Sequence, residues 1–138
     1  MLKTGIRMLL VVLACVACEA NATGHVVVIG HAGLGKLDVA TLEKIYMGKV
    51  IEVNGIPVTA INANSGSDLR NRFLHTYLNR DEDGYTAYWT VRRYIGKGAP
   101  PREFSNSADV IDFIKSTTGA IGYVDEAEVP PGVKVLLK

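Results

Sequence analysis

Residues 61–78 read Ile-Asn-Ala-Asn-Ser-Gly-Ser-Asp-Leu-Arg-Asn-Arg-Phe-Leu-His-Thr-Tyr-Leu. A polar, glycine-containing turn leaves the apolar run Ile56 to Ile61 and enters a helix over about Asp68 to Leu78. Ser67 is its N-cap, because a Ser hydroxyl accepts a hydrogen bond from an N–H that the first helical turn leaves unpaired. Leu69, Phe73, Leu74, Tyr77 and Leu78 share one face at helical spacing. Free N–H groups and the positive end of the helix dipole make the turn a candidate anion site. Ser65 and Ser67 add hydroxyls, and Gly66 allows close approach of a ligand to the backbone. Arg70, a cation in the first turn, is better explained if it reaches an anion or a carboxylate. Asp68 suits an empty helix end and can pair with Arg72 at i,i+4.

Upstream of this element, Val26 to Gly30 is a β-branched run that reads as a strand buried on both faces. Asp38 caps a helix over Val39 to Met47, ended by Gly48. A short strand at Val50 to Val53, the turn Asn54-Gly55 and a second strand at Ile56 to Ile61 form a hairpin. Downstream, Asp81 or Asp83 starts a helix to about Ile95, where Tyr85, Tyr88 and Trp89 at this spacing close a core, or with Arg92 and Arg93 offer a partner surface. Gly96 to Pro101 is a loop, and Asn106 or Ser107 starts a helix ended by Thr117-Thr118-Gly119. Ala120 to Val124 and Val133 to Leu137 are the last two strands. Strands alternating with helices in a short chain point to a three-layer or two-layer α/β lobe.

At the N-terminus, Lys3 and Arg7 precede the apolar run Met8 to Ala17, and Ala20-Asn21-Ala22 has the small-x-small form of a cleavage site. Residues 1–22 are therefore expected to be a cleaved signal peptide and 23–138 a single exported, periplasmic domain. Val12-Leu13-Ala14-Cys15 is a poor lipid-attachment box because Leu13 is bulky. Cys15 and Cys18 are the only cysteines, so the expected mature chain has no thiol. The 1–22 segment holds two of the fifteen basic residues and one of the fourteen acidic ones, leaving thirteen of each. That balance, without a basic block, argues against nucleic acid as a partner. Ser65 lacks a Gly-x-Ser-x-Gly context, and His25, His31 and His75 are widely spaced. Neither an enzyme nor a metal site is expected, and no cofactor is called for.

Several segments together resemble the phosphate-type substrate-binding proteins of bacterial ABC importers, which have the type 2 periplasmic-binding-protein fold. They are Leu42 to Lys49, Asn54 to Val58, Asn64 to Ser67 with Arg70 and Phe73, Trp89, and Gly119-Ala-Ile-Gly-Tyr-Val124. The resemblance covers the second lobe only, and implies a single α/β lobe with a mixed sheet flanked by helices. It implies a non-catalytic module that binds inorganic phosphate or a similar oxyanion through Asn64, Ser65, Gly66, Ser67 and Arg70, and that serves an ABC transporter or other envelope proteins. Ile61 stands where the family places a phosphate-binding Arg, and Arg70 is the candidate to replace it. A ligand-free accessory protein is the alternative. A lone lobe also raises a homodimer, because the face that a second lobe covers would be exposed.

Overall fold

The computed structural model describes residues 24–138, so the expected signal peptide, its cleavage site and both cysteines lie outside the described residues. Val26–Gly30 forms β1, the fourth strand of a five-stranded sheet. The others are β4 (Thr59–Ala63), β5 (Arg102–Phe104), β6 (Ala120–Asp125) and β7 (Lys134–Leu137), in the order β5-β4-β6-β1-β7. β4 is parallel to both β5 and β6, whereas β1 is antiparallel to β6 and to β7. A two-stranded hairpin, β2 (Glu52–Val53) and β3 (Ile56–Pro57), stands outside this sheet. Its turn residues Asn54 and Gly55 both adopt left-handed backbone, with φ of 50° and 78°, the geometry that an Asn-Gly hairpin turn requires.

Alternation along the strands separates two apolar layers. Val26, Val28, Ile121, Tyr123 and Leu136 pack with α1 (Val39–Tyr46), α2 (Asp68–Phe73) and α3 (Glu82–Tyr94). Val27, Ile29, Ile61, Ala120 and Val124 pack with Val110 and Ile114 of α4 (Ser107–Ser116) on the opposite face. β1 is thus buried on both faces, as its unbroken valine run predicts. The caps follow local chemistry: Asp38, Ser67, Asp81 and Asn106 each accept a backbone N–H at the start of a helix.

Three expectations need correction. The run Ile56 to Ile61 is not one strand; it divides at Val58, so that Ile56–Pro57 completes the hairpin and Thr59–Ala63 joins the main sheet. Pro57 cannot donate to a central ladder, which suits the hairpin and excludes it from β4. The helix over Asp68 to Leu78 widens after Phe73 into a π-helical stretch, Leu74–Leu78. β5 is a strand where a loop-to-helix passage was expected; three residues are too few to show a period.

Candidate functional site

The Asn64–Ser67 turn lies at the C-terminal end of β4. Chain connections leave this strand toward β5 on one side and return to β6 on the other, and such a switch point is where open α/β sheets place ligands. Beneath the turn, a buried polar network holds β4 in position. The Tyr46 hydroxyl donates to Ile61 O at 2.8 Å, and the Tyr123 hydroxyl donates to Asn62 Oδ1 at 3.0 Å while accepting from Ala63 N at 2.9 Å. Asn62 Nδ2 donates to the Tyr85 hydroxyl, which donates to Tyr46 O. Phe73 stacks on Tyr123 with ring centroids 3.8 Å apart. Burial pushes the Tyr46, Tyr85 and Tyr123 phenols up from their ordinary range, so all three are neutral donors at neutral pH.

The five residues singled out in the sequence do come together here, but not as five open donors. Asn64 is exposed, and its carbonyl accepts from Ser67 N. Gly66 has φ of +76° with open space where a Cβ would stand. The Ser67 hydroxyl is occupied as the helix cap, accepting from Arg70 N at 3.3 Å. Ser65 N donates to Glu103 Oε1 at 2.6 Å, and the Ser65 hydroxyl bonds Glu82 Oε1.

Arg70 is 5% exposed. Its guanidinium grips Glu82 in a fork, Nε to Oε2 and NH2 to Oε1, both at 2.8 Å. NH1 reaches Glu103 Oε1 at 2.8 Å and Ala63 O at 3.3 Å. The Tyr85 ring lies 5.3 Å from the guanidinium carbon. The expectation that Arg70 reaches an anion or a carboxylate is met by two carboxylates of the chain itself. One arginine against two glutamates leaves the ionised cluster with one net negative charge.

Glu82 and Glu103 are the residues that sequence reasoning did not attach to the turn. Glu82 reads as an ordinary acidic residue in the first turn of α3, and Glu103 sits in the unrecognised β5. They lie 12 and 33 positions from Arg70, so no helical or strand spacing links them to it.

The same end of the sheet carries every ion pair among the described residues. Arg72 pairs with Asp68 at 2.8 Å, as i,i+4 spacing predicts, and also with Asp125 at 2.6 Å, where β6 ends. It donates to Gly24 O as well. These carboxylates raise the Arg72 pKa above its already high ordinary value. Lys138 pairs with Glu126 and lowers that carboxyl's pKa.

Ile61 is 1% exposed and packs into the layer beneath α4. Tyr85 and Trp89 are buried and Tyr88 half-buried, in keeping with a core role. Trp89 Nε1, the Tyr88 hydroxyl and Arg92 NH2 donate to the carbonyls of Tyr46, Met47 and Gly48, which α1 leaves unpaired at its C-terminus. A shallow cavity of about 190 Å³ lies beside the turn, lined by Arg70, Trp89, Thr90, Arg93, Pro101 and Glu103 among others. Among the described residues, no group of three or more His, Cys, Asp or Glu side chains is placed to hold a metal ion, and no helix is long and apolar enough to cross a membrane.

No protein-family model matches the chain, and no curated protein does. Solved structures do. A phosphate ABC transporter substrate-binding protein from Clostridium perfringens, solved with bound phosphate, superposes with a TM-score of 0.65 at 18% identity, covering 82% of this chain and 44% of that one. An ABC-type phosphate transport receptor from Vibrio cholerae gives 0.62 at 12% identity, covering 82% and 45%. The chain spans less than half the length of these proteins, and at such identities the likeness is one of fold. The mixed sheet flanked by helices matches a fragment of the periplasmic-binding-protein fold.

Proposed function

We propose that this chain is a non-catalytic, exported lobe of the periplasmic-binding-protein type that acts as an interaction or accessory module of the envelope, with the oxyanion seat filled by its own side chains. The observation that carries this reading is Arg70. The one buried cation at the turn is bonded to Glu82 and Glu103, and Glu103 also takes the Ser65 N–H. Two carboxylates thus stand where a bound oxyanion would accept those bonds. A phosphate arriving there must break charge-assisted bonds that are already short.

A second reading has its own support. The turn stands at the sheet's switch point, and the two solved structures named above are phosphate-transport proteins by name, one of them holding phosphate. On this reading, inorganic phosphate displaces Glu103, whose side chain is 45% exposed, and binds Asn64, Ser65, Gly66, Ser67 and Arg70 on the way to an ABC transporter.

One experiment separates the two: thermal unfolding of the protein in phosphate and in sulfate, with and without Glu103→Gln. The self-filled seat predicts no phosphate-specific stabilisation of the parent at millimolar concentration. The variant gains such a response, and a further Ser65→Ala change removes it. Stabilisation of the parent by phosphate but not sulfate overturns the first reading in favour of the second.

A further inference from the structure

The cavity beside the Asn64–Ser67 turn takes one wall from α3, where Thr86, Trp89, Thr90 and Arg93 recur at three- and four-residue steps, and another from Pro100, Pro101 and β5. Most polar groups on its lining are already bonded inside the chain. The Ser65 and Thr86 hydroxyls bond Glu82 Oε1, the Thr90 hydroxyl donates to Thr86 O, and the Tyr85 hydroxyl and Trp89 Nε1 donate to Tyr46 O. Two groups are left over. Arg93 is exposed, and its guanidinium has no hydrogen bond or ion pair among the described residues. Glu103 accepts from Ser65 N and Arg70 through Oε1 alone, so its Oε2 has no partner among them.

These leftover charges are opposite and do not meet. Glu103 is held at the Glu82 end of α3, because both carboxylates bond Arg70, while the Arg93 backbone stands about 16 Å of helix rise beyond Glu82. Arg70 and Arg93 together balance Glu82 and Glu103. The cavity thus has no net charge, but it offers a free cation on one part of its lining and a free carboxylate oxygen on another. Phosphate or a simple carboxylate gains Arg93 and meets Glu103; an amine gains Glu103 and meets Arg93. A molecule that carries both charges gains both. Its size is limited, since about 190 Å³ is below the roughly 300–1,000 Å³ of pockets that enclose drug-sized ligands.

We propose that this cavity binds a small zwitterion of the amino-acid class. Its carboxylate sits on the Arg93 guanidinium, whose paired N–H groups match a carboxylate, its ammonium donates to Glu103 Oε2, and its carbon atoms lie against Trp89 and the two prolines. The cavity is shallow, so Kd is expected near ~1 mM. The proposal rests on the self-filled seat, because Glu103 supplies the second charge only while it stays on Arg70.

The test is a titration of the full chain with L-alanine, β-alanine and 4-aminobutyrate up to ~50 mM, compounds that set the same two charges at different separations. Butyrate and butylamine, with one charge each, are the controls. Trp89 is the only tryptophan and lines the cavity, so its emission reports the site, alongside backbone amide NMR shifts. At least one amino acid saturates, and both controls bind at least ~10-fold more weakly. Arg93→Gln and Glu103→Gln each weaken the amino acid at least ~10-fold, the loss of one charge-assisted bond. Arg93→Gln breaks no bond among the described residues, and far-UV circular dichroism checks that both variants are folded. The proposal is overturned if no amino acid saturates, if a control binds as well, or if either substitution leaves the affinity unchanged. The two readings fail apart: phosphate-specific stabilisation of the parent overturns the filled seat, and a parent that lacks this response and also binds no amino acid overturns the cavity proposal alone.

Discussion

The rim around the Asn64–Ser67 turn and the outer face of α3 both lie at the surface of the described residues, and they are built in opposite ways. On the rim, charged groups are matched within the chain: Arg70 with Glu82 and Glu103, Arg72 with Asp68 and Asp125, Lys138 with Glu126. On α3, Val91, Tyr94 and Ile95 stand in solvent, with Asp83 and Arg93 outside any such pair. The difference teaches which surface is closed. Bonds already satisfied inside the chain offer a newcomer little, whereas exposed apolar area and unmatched charge still have free energy to release on contact.

The sharpest way to break this contrast is Arg70→Met. It leaves the Glu82 and Glu103 carboxylates facing each other and Ala63 O without that donor, so the loss in urea unfolding is expected to be ~2–4 kcal/mol, tempered because both glutamates are partly exposed. A loss below ~0.5 kcal/mol, within the range of ordinary surface substitutions, would make the rim an incidental surface cluster.

Next in size is Tyr123→Phe, which keeps the stack on Phe73 but strips partners from Ala63 N and Asn62 Oδ1. A cost of ~1–3 kcal/mol is expected, read from the same unfolding curves. Replacement of Glu103 by Gln should cost ~1 kcal/mol or less, because the amide oxygen can still accept from Ser65 N and Arg70. Its informative effect is the phosphate response described above.

The buried phenols set a limit on the alkaline side. Their pKa values are raised by burial, so the unfolded chain ionises first as pH climbs past the ordinary 10.0. The stability that they contribute is whole below that point and is lost as pH rises through the folded values. Melting temperature should therefore fall above pH 10 in the parent and less steeply in Tyr123→Phe, measured against the variant's own neutral-pH value. Smallest is Tyr94→Ser, which should change stability by no more than ~0.5 kcal/mol, because Tyr94 is 92% exposed. A large loss of stability would mean that Tyr94 packs within the chain.

Much of the fold is legible residue by residue. The valine run of β1, the Asn54-Gly55 turn and the Asp38, Ser67 and Asp81 caps act through neighbours within a few positions, so local pattern exposes them. The Asp68–Arg72 pair is legible for the same reason. The candidate site is legible only in half. The sequence places Asn64, Ser65, Gly66, Ser67 and Arg70 in one turn and marks Arg70 as a cation in search of an anion. It does not name that anion. Glu103 reaches the turn because β5 pairs beside β4 in the register Asn62↔Glu103, and Glu82 because α3 is anchored to the end of α1. Strand order and helix docking are settled by long-range burial of apolar area, which no spacing between charged residues records. Sequence alone therefore determined that a capped polar turn opens α2 with an arginine in need of an anionic partner, and only the tertiary structure decided that two carboxylates of the chain itself meet that arginine.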